Sequence, residues 1–341
     1  MRVLDEQGIG SHTAPESRLR FIHVPPSRPE VTFASAAQIG LSRPQKEIPS
    51  RFFYDIAGSR LFERITRLPE YYLTRCEAEI LERYPGEIID AAGRDLQIVE
   101  FGSGSSEKTR LLLRAAVERQ DEVEYVPIDI STEFLRVSSE ELLDEVDRLR
   151  VTALDGDYLD ALVALPAHEG SRLLLFLGSS IGNFEPPEAI SFLTRVCEVM
   201  RPEDRLLVGV DIEKAREIIE PAYNDAEGVT ELFNKNMLAR INHELCGHFD
   251  PSLFEHRAPW IEEKSRIEMR LVSRLDQEVA IDGLDRIFAF REGEYIHTEN
   301  SHKWSPSAFA SMCSDARLSI CRTWHDGKGW FSLNLLERAC S

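Results

Sequence analysis

A short apolar run that leads into two closely spaced glycines constrains the fold more than any other feature of this chain. Residues 97–101 are mostly apolar and partly β-branched, which predicts a buried strand. Gly102 and Gly104 then turn the chain, and strong helix formers follow over residues 106–119. A strand, a glycine turn and a helix open the doubly wound α/β folds that hold a nucleoside ligand at the strand's carboxyl end. Taken alone, Gly-x-Gly also fits an ordinary turn.

The position after this turn indicates which kind of nucleoside fits. The third glycine of a dinucleotide fingerprint would fall at position 107, which is Glu107. A carboxylate there disfavours a pyrophosphate on the helix N-terminus. A cofactor without phosphates fits better, and S-adenosylmethionine is the common one.

Predicted strands and helices alternate over the middle of the chain. Strands are expected at 97–101, 124–129, 150–154, 172–178 and 205–211, and helices at 106–119, 132–146 and 187–200. This order predicts a parallel sheet with right-handed crossovers.

The alternation stops after Asp211. Residues 213–245 are predicted to be helical, with a possible interruption near Gly228, and residues 266–299 alternate as strands do. We interpret this part as an inserted module. A final strand pair, within residues 318–336, is expected to return to the main sheet.

Two helices are expected before the alternating part. Apolar residues between 61 and 68 recur at helical spacing and stop before Pro69. A second helix is predicted from about Thr74 to Arg83, with Thr74 as N-cap and Glu77 closing a capping box.

These patterns divide the chain into five parts. They are a flexible, proline-rich arm (1–30), a first part of a substrate-binding domain (31–76), a main domain (77–211), a second part of the substrate-binding domain (212–303) and C-terminal strands of the main domain (304–341).

Charge and composition exclude several classes of protein. The chain has 59 acidic and 40 basic residues and a net charge of −19, whereas nucleic-acid binders normally present a basic face. No apolar run is long enough to cross a membrane, and the first residues lack the apolar core of a signal peptide. Six scattered cysteines without a Cys-x-x-Cys pair are typical of reduced thiols. We therefore expect a cytoplasmic protein that binds neither nucleic acid nor membrane.

Acidic residues end two of the predicted strands. Asp129 lies 27 positions after Gly102, where a carboxylate can accept hydrogen bonds from ribose hydroxyls. It could instead cap the next helix. Asp157 and Tyr158 follow the third strand and could contact an adenine amino group and ring, although Asp-Gly-Asp is also a plain turn.

The loop after the fourth predicted strand is rich in glycine. Gly178 and Gly182 would let a substrate approach the backbone, and Asn183 offers both a donor and an acceptor. The first and fourth strands should flank the site, because the strand order reverses between them. A simple Gly-Asn turn is the alternative.

Two residues of the inserted module could bind a ring with two nitrogens. In an extended strand Glu299 and Ser301 point to the same face, so that one nitrogen could contact the carboxylate and the other the hydroxyl. An exposed polar strand end is the alternative. His243 and His248 are five residues apart, which does not match the spacing of a zinc helix, and we expect no metal.

From about residue 50 to the end, the sequence closely resembles the S-adenosylmethionine-dependent histidine Nα-methyltransferases of ergothioneine biosynthesis. The resemblance rests on Phe53-Tyr54-Asp55 with Gly58-Ser59, Leu68-Pro69-Glu70-Tyr71-Tyr72, Thr74-Arg75, the run from Glu100 to Arg110, the run from Gly178 to Asn183, Tyr223-Asn224-Asp225, Phe233-Asn234 and Glu299-Asn300-Ser301. It implies a Rossmann-like class I methyltransferase fold with a smaller α+β substrate-binding domain built from an N-terminal segment and an insertion.

The resemblance also implies roles for individual residues. The cofactor would be held by Gly102, Ser103, Gly104, Lys108, Asp129, Asp157 and Tyr158. Tyr71, Asn183 and Tyr223 would bind the substrate carboxylate; Tyr54, Phe62, Gly178 and Asn183 would surround the amine; Glu299 and Ser301 would bind the imidazole. We assign catalytic roles to Tyr54 and Asn183 and add Met269 to the substrate site.

The implied reaction is methylation of the α-amine of L-histidine in three successive transfers, giving the trimethylated betaine hercynine. We expect a monomer. Two alternatives stay open: an N-methyltransferase for another amino acid or small amine, and a non-catalytic protein that keeps the cofactor fold for partner binding. Ser180, where bacterial enzymes often have Thr, and Tyr158, where Phe is common, depart from the family pattern.

Overall fold

The computed structural model describes residues 18–27, 31–104 and 106–339, and we number its strands and helices along the chain. The part before the alternating region contains β1 (Leu19–His23), α1 (Phe33–Leu41), β2 (Lys46–Glu47), α2 (Ile56–Thr66), α3 (Tyr72–Arg83) and α4 (Pro85–Ala92). The short helix predicted before Pro69 is α2.

The alternating region follows the predicted order. It contains β3 (Gln97–Phe101), α5 (Thr109–Arg119), β4 (Val123–Asp129), α6 (Thr132–Glu145), β5 (Leu149–Asp155), α7 (Tyr158–Ala161), β6 (Arg172–Phe176), α8 (Pro186–Val199) and β7 (Arg205–Asp211). The predicted boundaries are within three residues of those observed.

The insertion begins with helix and continues as strands. It contains α9 (Arg216–Ile219), α10 (Val229–Leu245), β8 (Phe254–Arg257), β9 (Trp260–Ile261), β10 (Arg266–Ser273), β11 (Gln277–Ile281), β12 (Arg286–Phe290) and β13 (Tyr295–His302). Gly228 adopts a φ of 71° immediately before α10, which accounts for the predicted interruption. The chain ends with α11 (Pro306–Asp315), β14 (Leu318–His325) and β15 (Phe331–Arg338).

The main sheet has eight strands in the order β1-β5-β4-β3-β6-β7-β15-β14. Its first six strands are parallel, whereas β15 runs antiparallel to both β7 and β14. The direction of the crossovers reverses between β3 and β6, so the carboxyl ends of these two strands border a crevice. The doubly wound α/β fold and the returning strand pair are therefore confirmed.

One part of the flexible arm is ordered. Residues 19–23 form β1, which pairs in parallel with β5, and Arg18 donates to the Leu143 carbonyl at 2.7 Å. The prediction of an arm over 1–30 is wrong for this segment. An open sheet edge offers unpaired backbone groups, which β1 satisfies, and Ile22 and Val24 pack against an apolar cluster on one face of the sheet. Residues 1–17 and 28–30 lie outside the described residues.

Apolar clusters cover both faces of the main sheet. Ile98 and Leu173 belong to one cluster, while their neighbours Val99 and Leu174 belong to the other. A sheet buried on both faces explains why its strands are almost continuously apolar. Among the described residues, no helix is both long and apolar enough to cross a membrane.

A second, smaller sheet is built from distant parts of the chain. Its order is β2-β13-β10-β8, with β9 also paired to β10, and β2 comes from the N-terminal segment. Helix α10 of the insertion likewise contacts a part of the N-terminal segment, because it packs on α2. The N-terminal segment and the insertion thus form one layer over the carboxyl edge of the main sheet.

A charged cluster joins the two sheets. Glu185, at the start of α8, accepts hydrogen bonds from Arg266 at 2.5 Å and from Asn300 at 3.1 Å. Arg266 also pairs with the buried Glu268, which in turn binds Arg270 at 2.6 Å. Burial alone would raise the pKa of Glu268, but these two arginines outweigh it and hold the pKa at about 2.

We predict that Glu268→Gln lowers the free energy of unfolding at neutral pH and makes this free energy change less as the pH falls. A carboxyl group with a folded pKa below the unfolded value of about 4.3 adds stability above that pH and loses it as the pH falls toward the folded value. The expected loss near neutrality is about 2–3 kcal/mol. Urea unfolding of both proteins at about pH 7 and about pH 3 measures it, because most of the contribution is lost only as the pH approaches the folded pKa; an equal difference between the two proteins at both pH values would contradict the prediction.

Candidate active site

The glycine turn after β3 faces open space. Gly102 and Gly104 adopt φ values of 70° and 50°, and a Cβ atom at either position would have no atom within 4 Å. Between them, the Ser103 hydroxyl is buried without a hydrogen-bond partner among the described residues. A buried, unpaired hydroxyl beside open space is suited to a polar ligand.

Hydrogen bonds beneath the turn fix its shape. Buried Glu100 of β3 accepts from Thr109 at 2.6 Å and from Tyr125, whose hydroxyl also lies 2.9 Å from that of Ser106. Burial raises the pKa of Glu100 to about 7. Glu100, Thr109 and Tyr125 are not among the site residues predicted from the sequence, although an acidic residue inside an apolar strand is a signal that could identify such a position.

Asp129, at the end of β4, contacts the same turn. Its carboxylate accepts from the Gly104 N–H at 3.1 Å and from the Ser131 N–H at 3.0 Å. Burial raises the pKa of this carboxyl. Asp129 thus binds the backbone at the start of α6, as the capping alternative predicts. Each of its oxygens retains a lone pair that can accept from a ribose hydroxyl.

Asp157 and Tyr158 begin α7 beside this edge. Asp157 caps the helix by accepting from the Leu159 N–H at 2.8 Å. The Tyr158 ring makes edge contacts with Phe192 and Phe101, at centroid distances of 5.5 and 6.3 Å. An aromatic wall and a carboxylate therefore lie at the neighbouring strand end.

Lys108 and Glu77 lie at the crevice between β3 and β6. Glu77 is buried, accepts from the Gly178 N–H at 2.8 Å and forms an ion pair with Lys108. The predicted capping box is wrong: α3 begins at Tyr72 and has no side-chain cap. Glu77 shares a helix face with buried Leu73 and Ile80, which could have shown that it points inward.

Together these groups fit S-adenosylmethionine. A carboxylate suits the ribose, an aromatic wall suits the adenine, and Lys108 suits the carboxylate of the methionine part. The open space before the turn and the unpaired Ser103 hydroxyl are the observations on which this fit rests.

A cluster of five aromatic rings adjoins this edge. Tyr54 packs against Phe62 and Phe233 at centroid distances of 5.6 and 5.9 Å, Phe62 contacts Tyr71 at 6.2 Å, and Tyr71 contacts Tyr223 at 6.2 Å. The structure thereby brings four predicted substrate residues together. Phe233 is a fifth ring, which is not among the predicted site residues although it belongs to the matching motif Phe233-Asn234.

Tyr54 lies between the two ends of the site. The residue is 38% exposed, and burial of its phenol raises the pKa well above the usual value, with further contributions from Glu299, Tyr223 and Asp129. Tyr54 is thus close to both Asp129 and Glu299 while part of it stays accessible. We call the region between these two carboxyl groups, beside Tyr54, the cleft.

Glu299 lies at the far end of the cleft. It pairs across the strands with buried Met269 and accepts no hydrogen bond from any described residue. Burial raises the pKa of Glu299 to about 7, and the nearby charge of Lys303 opposes this rise. A deep carboxyl group without a partner is suited to a ligand that carries an N–H group.

Ser301 belongs to a fully buried polar cluster. Its hydroxyl lies 2.7 Å from that of Tyr223, and Lys303 donates to both. Lys303 also pairs with Asp211 at 2.7 Å. Lys303 and Asp211 were not among the residues we predicted.

The loop after β6 supplies the remaining predicted residues. Gly178 has a φ of 75°, and Asn183 ends a short 3₁₀ turn. Asn183 forms no side-chain hydrogen bond with any described residue, so its amide is free to bind a ligand. The described residues contain no group of three His, Cys, Asp or Glu side chains arranged to hold a metal.

Comparison with known families shows which family this chain belongs to. Residues 33–338 match the family described as "Histidine-specific methyltransferase, SAM-dependent". The chain belongs to this family. The predicted resemblance and the Rossmann-like class I methyltransferase fold are thereby confirmed.

Relatives of this methyltransferase occur in bacteria and fungi. It is 42% identical to "Histidine N-alpha-methyltransferase" of Mycolicibacterium smegmatis over 88% of this chain and 92% of that protein. It is 31% identical to "Ergothioneine biosynthesis protein 1" of Schizosaccharomyces pombe, over 80% of this chain but 36% of that longer protein. It is 28% identical to "N-methyltransferase imqF" of Aspergillus flavus, over 87% and 83% of the two chains.

We predict that Asp129→Ala weakens cofactor binding in a folded protein. Lost hydrogen bonds to a charged acceptor cost about 1.5–3 kcal/mol each, which is about tenfold or more in Kd. Calorimetric titration with S-adenosylhomocysteine measures the change. Asp155→Ala is the matched control, because Asp155 ends the neighbouring strand and pairs with His23. Equal affinity of both variants would contradict the ribose assignment.

Proposed function

We propose that this chain transfers methyl groups from S-adenosylmethionine to the α-amino nitrogen of L-histidine, three times in succession, to give hercynine for ergothioneine biosynthesis. Membership of the histidine-specific family and 42% identity to a histidine Nα-methyltransferase support the reaction. The observation that carries the choice of histidine is the deep, unpartnered carboxyl of Glu299 two residues from the Ser301 hydroxyl.

These two groups complement an imidazole ring. A neutral imidazole has one N–H donor and one acceptor nitrogen. In our assignment Glu299 accepts from the N–H and Ser301 contacts the other nitrogen. A ring without polar nitrogens would leave the Glu299 carboxylate buried and unpaired, which is costly.

The other end of the substrate would lie among donors. We assign the substrate carboxylate to the hydroxyls of Tyr71 and Tyr223 and to the Asn183 amide. Burial raises the pKa of both phenols, so both are protonated and can donate to an anion. This places the amine between the aromatic rings and the edge that carries Asp129.

The residues around the amine act mainly by positioning. When bound, S-adenosylmethionine supplies a methyl group on a sulfonium centre, which an amine lone pair can attack. The phenol of Tyr54 stays neutral and can accept a hydrogen bond from the amine, which orients the lone pair. Phe62 and Phe233 exclude water from this region, and Gly178 leaves room beside the backbone.

We further propose that the protein is a monomer in the cytoplasm, built from the domains assigned from the sequence. The pairing of β2 with β13 and the packing of α2 on α10 support a substrate-binding domain made from residues 31–76 and 212–303. Cys76, Cys197 and Cys313 are buried and unpaired, which fits a reducing compartment.

An amino-acid panel tests the reaction. The purified chain is incubated with S-adenosylmethionine and with histidine, tryptophan, phenylalanine or a small amine, and the products are read by mass. We expect one, two and three added methyl groups on histidine alone. Transfer to another amine instead would favour the alternative methyltransferase, and absence of cofactor binding would leave only the interaction protein.

We predict that Glu299→Ala raises KM for histidine far more than it lowers kcat. The ring is remote from the reacting nitrogen and is bound alike in the ground and transition states, so the loss is one of uniform binding. The lost bond should cost about 1.5–3 kcal/mol. Dimethylhistidine should suffer the same loss, because its ring is unchanged.

The decisive measurement is kcat/KM for histidine relative to tryptophan in the wild type and in Glu299→Ala. Glu299→Gln is the matched variant, since it keeps an acceptor oxygen without the charge and should lose less. A wild type that prefers tryptophan, or a ratio that Glu299→Ala leaves unmoved, would remove the assignment of Glu299 to the imidazole.

A further inference from the structure

A buried lysine lies behind the two hydroxyls assigned to the substrate. Lys303 is among the largest fully buried side chains, and its ammonium donates to Ser301 at 2.7 Å, to Tyr223 at 2.8 Å and to Asp211 at 2.7 Å. An ammonium group has three N–H donors. All three therefore have acceptors within this cluster.

This arrangement fixes where the hydroxyl protons can point. The oxygens of Tyr223 and Ser301 lie 2.7 Å apart, so one of their two protons lies between them. Neither proton can point at Lys303, because the ammonium is itself the donor to both oxygens. No other described residue accepts from either hydroxyl. The remaining proton must point away from the cluster. It is available to one acceptor of the substrate: Tyr223 can donate it to the carboxylate, or Ser301 can donate it to the ring nitrogen, but not both at once.

Charge acts in the same direction. Asp211 pairs with Lys214 as well as with Lys303 and accepts from Tyr72 at 2.8 Å. Two ammonium groups thus share one buried carboxylate. The surplus positive charge lies beside Tyr223, where the substrate carboxylate is assigned, and no arginine is assigned to that carboxylate.

We propose that Lys303 is a positioning residue for the amino-acid substrate: it turns the Tyr223–Ser301 hydroxyl pair into a donor toward the cleft and supplies the positive charge that offsets the substrate carboxylate. Lys303 acts through Tyr223 and Ser301 and does not itself touch the reacting atoms. This inference rests on the proposed methylation of histidine.

Lys303 also affects the state of Glu299. Three titratable groups act on Glu299 or are affected by it: Lys303, directly after its strand, and Tyr54 and Tyr71 from the N-terminal segment. Burial raises the pKa of both phenols, so they stay neutral. Among the described residues, Lys303 is the cation that lowers the pKa of Glu299. Its removal should therefore move the ionisation of Glu299 to higher pH.

The test compares two lysine variants that share a partner. Lys303→Met has similar length and no charge, and it leaves Asp211 paired with Lys214 and Tyr72. We expect KM for histidine to rise about tenfold or more, kcat to change much less, and affinity for S-adenosylhomocysteine to stay unchanged. The acidic limb of the kcat/KM profile should move to higher pH.

Lys214→Met is the matched control. Lys214 contacts Asp211 and Tyr72, the latter at 2.9 Å, but neither Tyr223 nor Ser301. A merely structural role of the Asp211 cluster would affect both variants alike. We expect Lys214→Met to lose stability and to raise KM much less than Lys303→Met does, because it removes charge from the cluster but leaves both hydroxyls with their donor. Its pH profile should stay close to that of the wild type.

The outcomes separate this proposal from the proposed function. A wild type that does not methylate histidine removes the proposed function before any variant is compared. A wild type that does, together with an unchanged KM in Lys303→Met or an equal rise in Lys214→Met, overturns the role of Lys303 alone. If Lys303→Met fails to bind S-adenosylhomocysteine, Lys303→Gln replaces it, because its amide keeps donors for both hydroxyls without the charge. In Lys303→Gln the KM should still rise and the acidic limb should still move to higher pH, because the charge is lost; unchanged values would overturn the role of the Lys303 charge.

Discussion

The buried carboxylate of Glu77 joins the parts from which the catalytic edge is built. It extends from α3, passes over β7, accepts from the Gly178 N–H after β6 and pairs with Lys108 after the β3 turn. Gly209 of β7 makes this path possible, because a Cβ there would lie 2.3 Å from a Glu77 oxygen. A buried charge is tolerated only when it is paired and hydrogen-bonded, and Glu77 satisfies both conditions at the crevice where the strand order reverses. The crevice is thus closed on one side by the helix that follows Tyr54, Phe62 and Tyr71, three of the five aromatic rings.

The residues assigned to the substrate are brought together by the packing of the N-terminal segment on the insertion. Tyr54 and Tyr71 come from the N-terminal segment, Tyr223 from the insertion, and Glu299 and Ser301 from β13. These segments are far apart in the sequence and meet because β2 adds to the edge of β13 and α2 packs on α10. The raised pKa values of the Tyr54 phenol and of Glu299 follow from this convergence, since each group lies among side chains from the other segments.

The sequence predicted those parts of the molecule in which local pattern and final environment agree. The βαβ region has continuous apolar strands and strong helix formers, so its order and most of its boundaries could be found. The glycine turn and Asp129 could also be placed, because their roles depend on position along a single crossover. The strand β1 was missed because it is short and lies in a proline-rich segment, whose composition predicted a flexible arm. Glu77 was assigned to a capping box because its spacing from Thr74 matches that motif, whereas its actual partners, Gly178 and Lys108, are distant in the sequence. The Lys303–Asp211 pair could not be found, because its residues are 92 positions apart.

The close contact between Gly182 and β13 determines which substrate length the site accepts. A Cβ atom at Gly182 would lie 2.8 Å from the His302 carbonyl oxygen, so this loop and this strand touch through their backbones. Asn183 follows directly on one side of the contact, and Ser301 precedes it on the other. In the proposed assignment these two residues bind opposite ends of the amino acid. Because the two backbones are in contact, the distance between Asn183 and Ser301 is fixed. An amino acid whose ring stands one methylene nearer to or farther from its amine could satisfy one end of the site but not both.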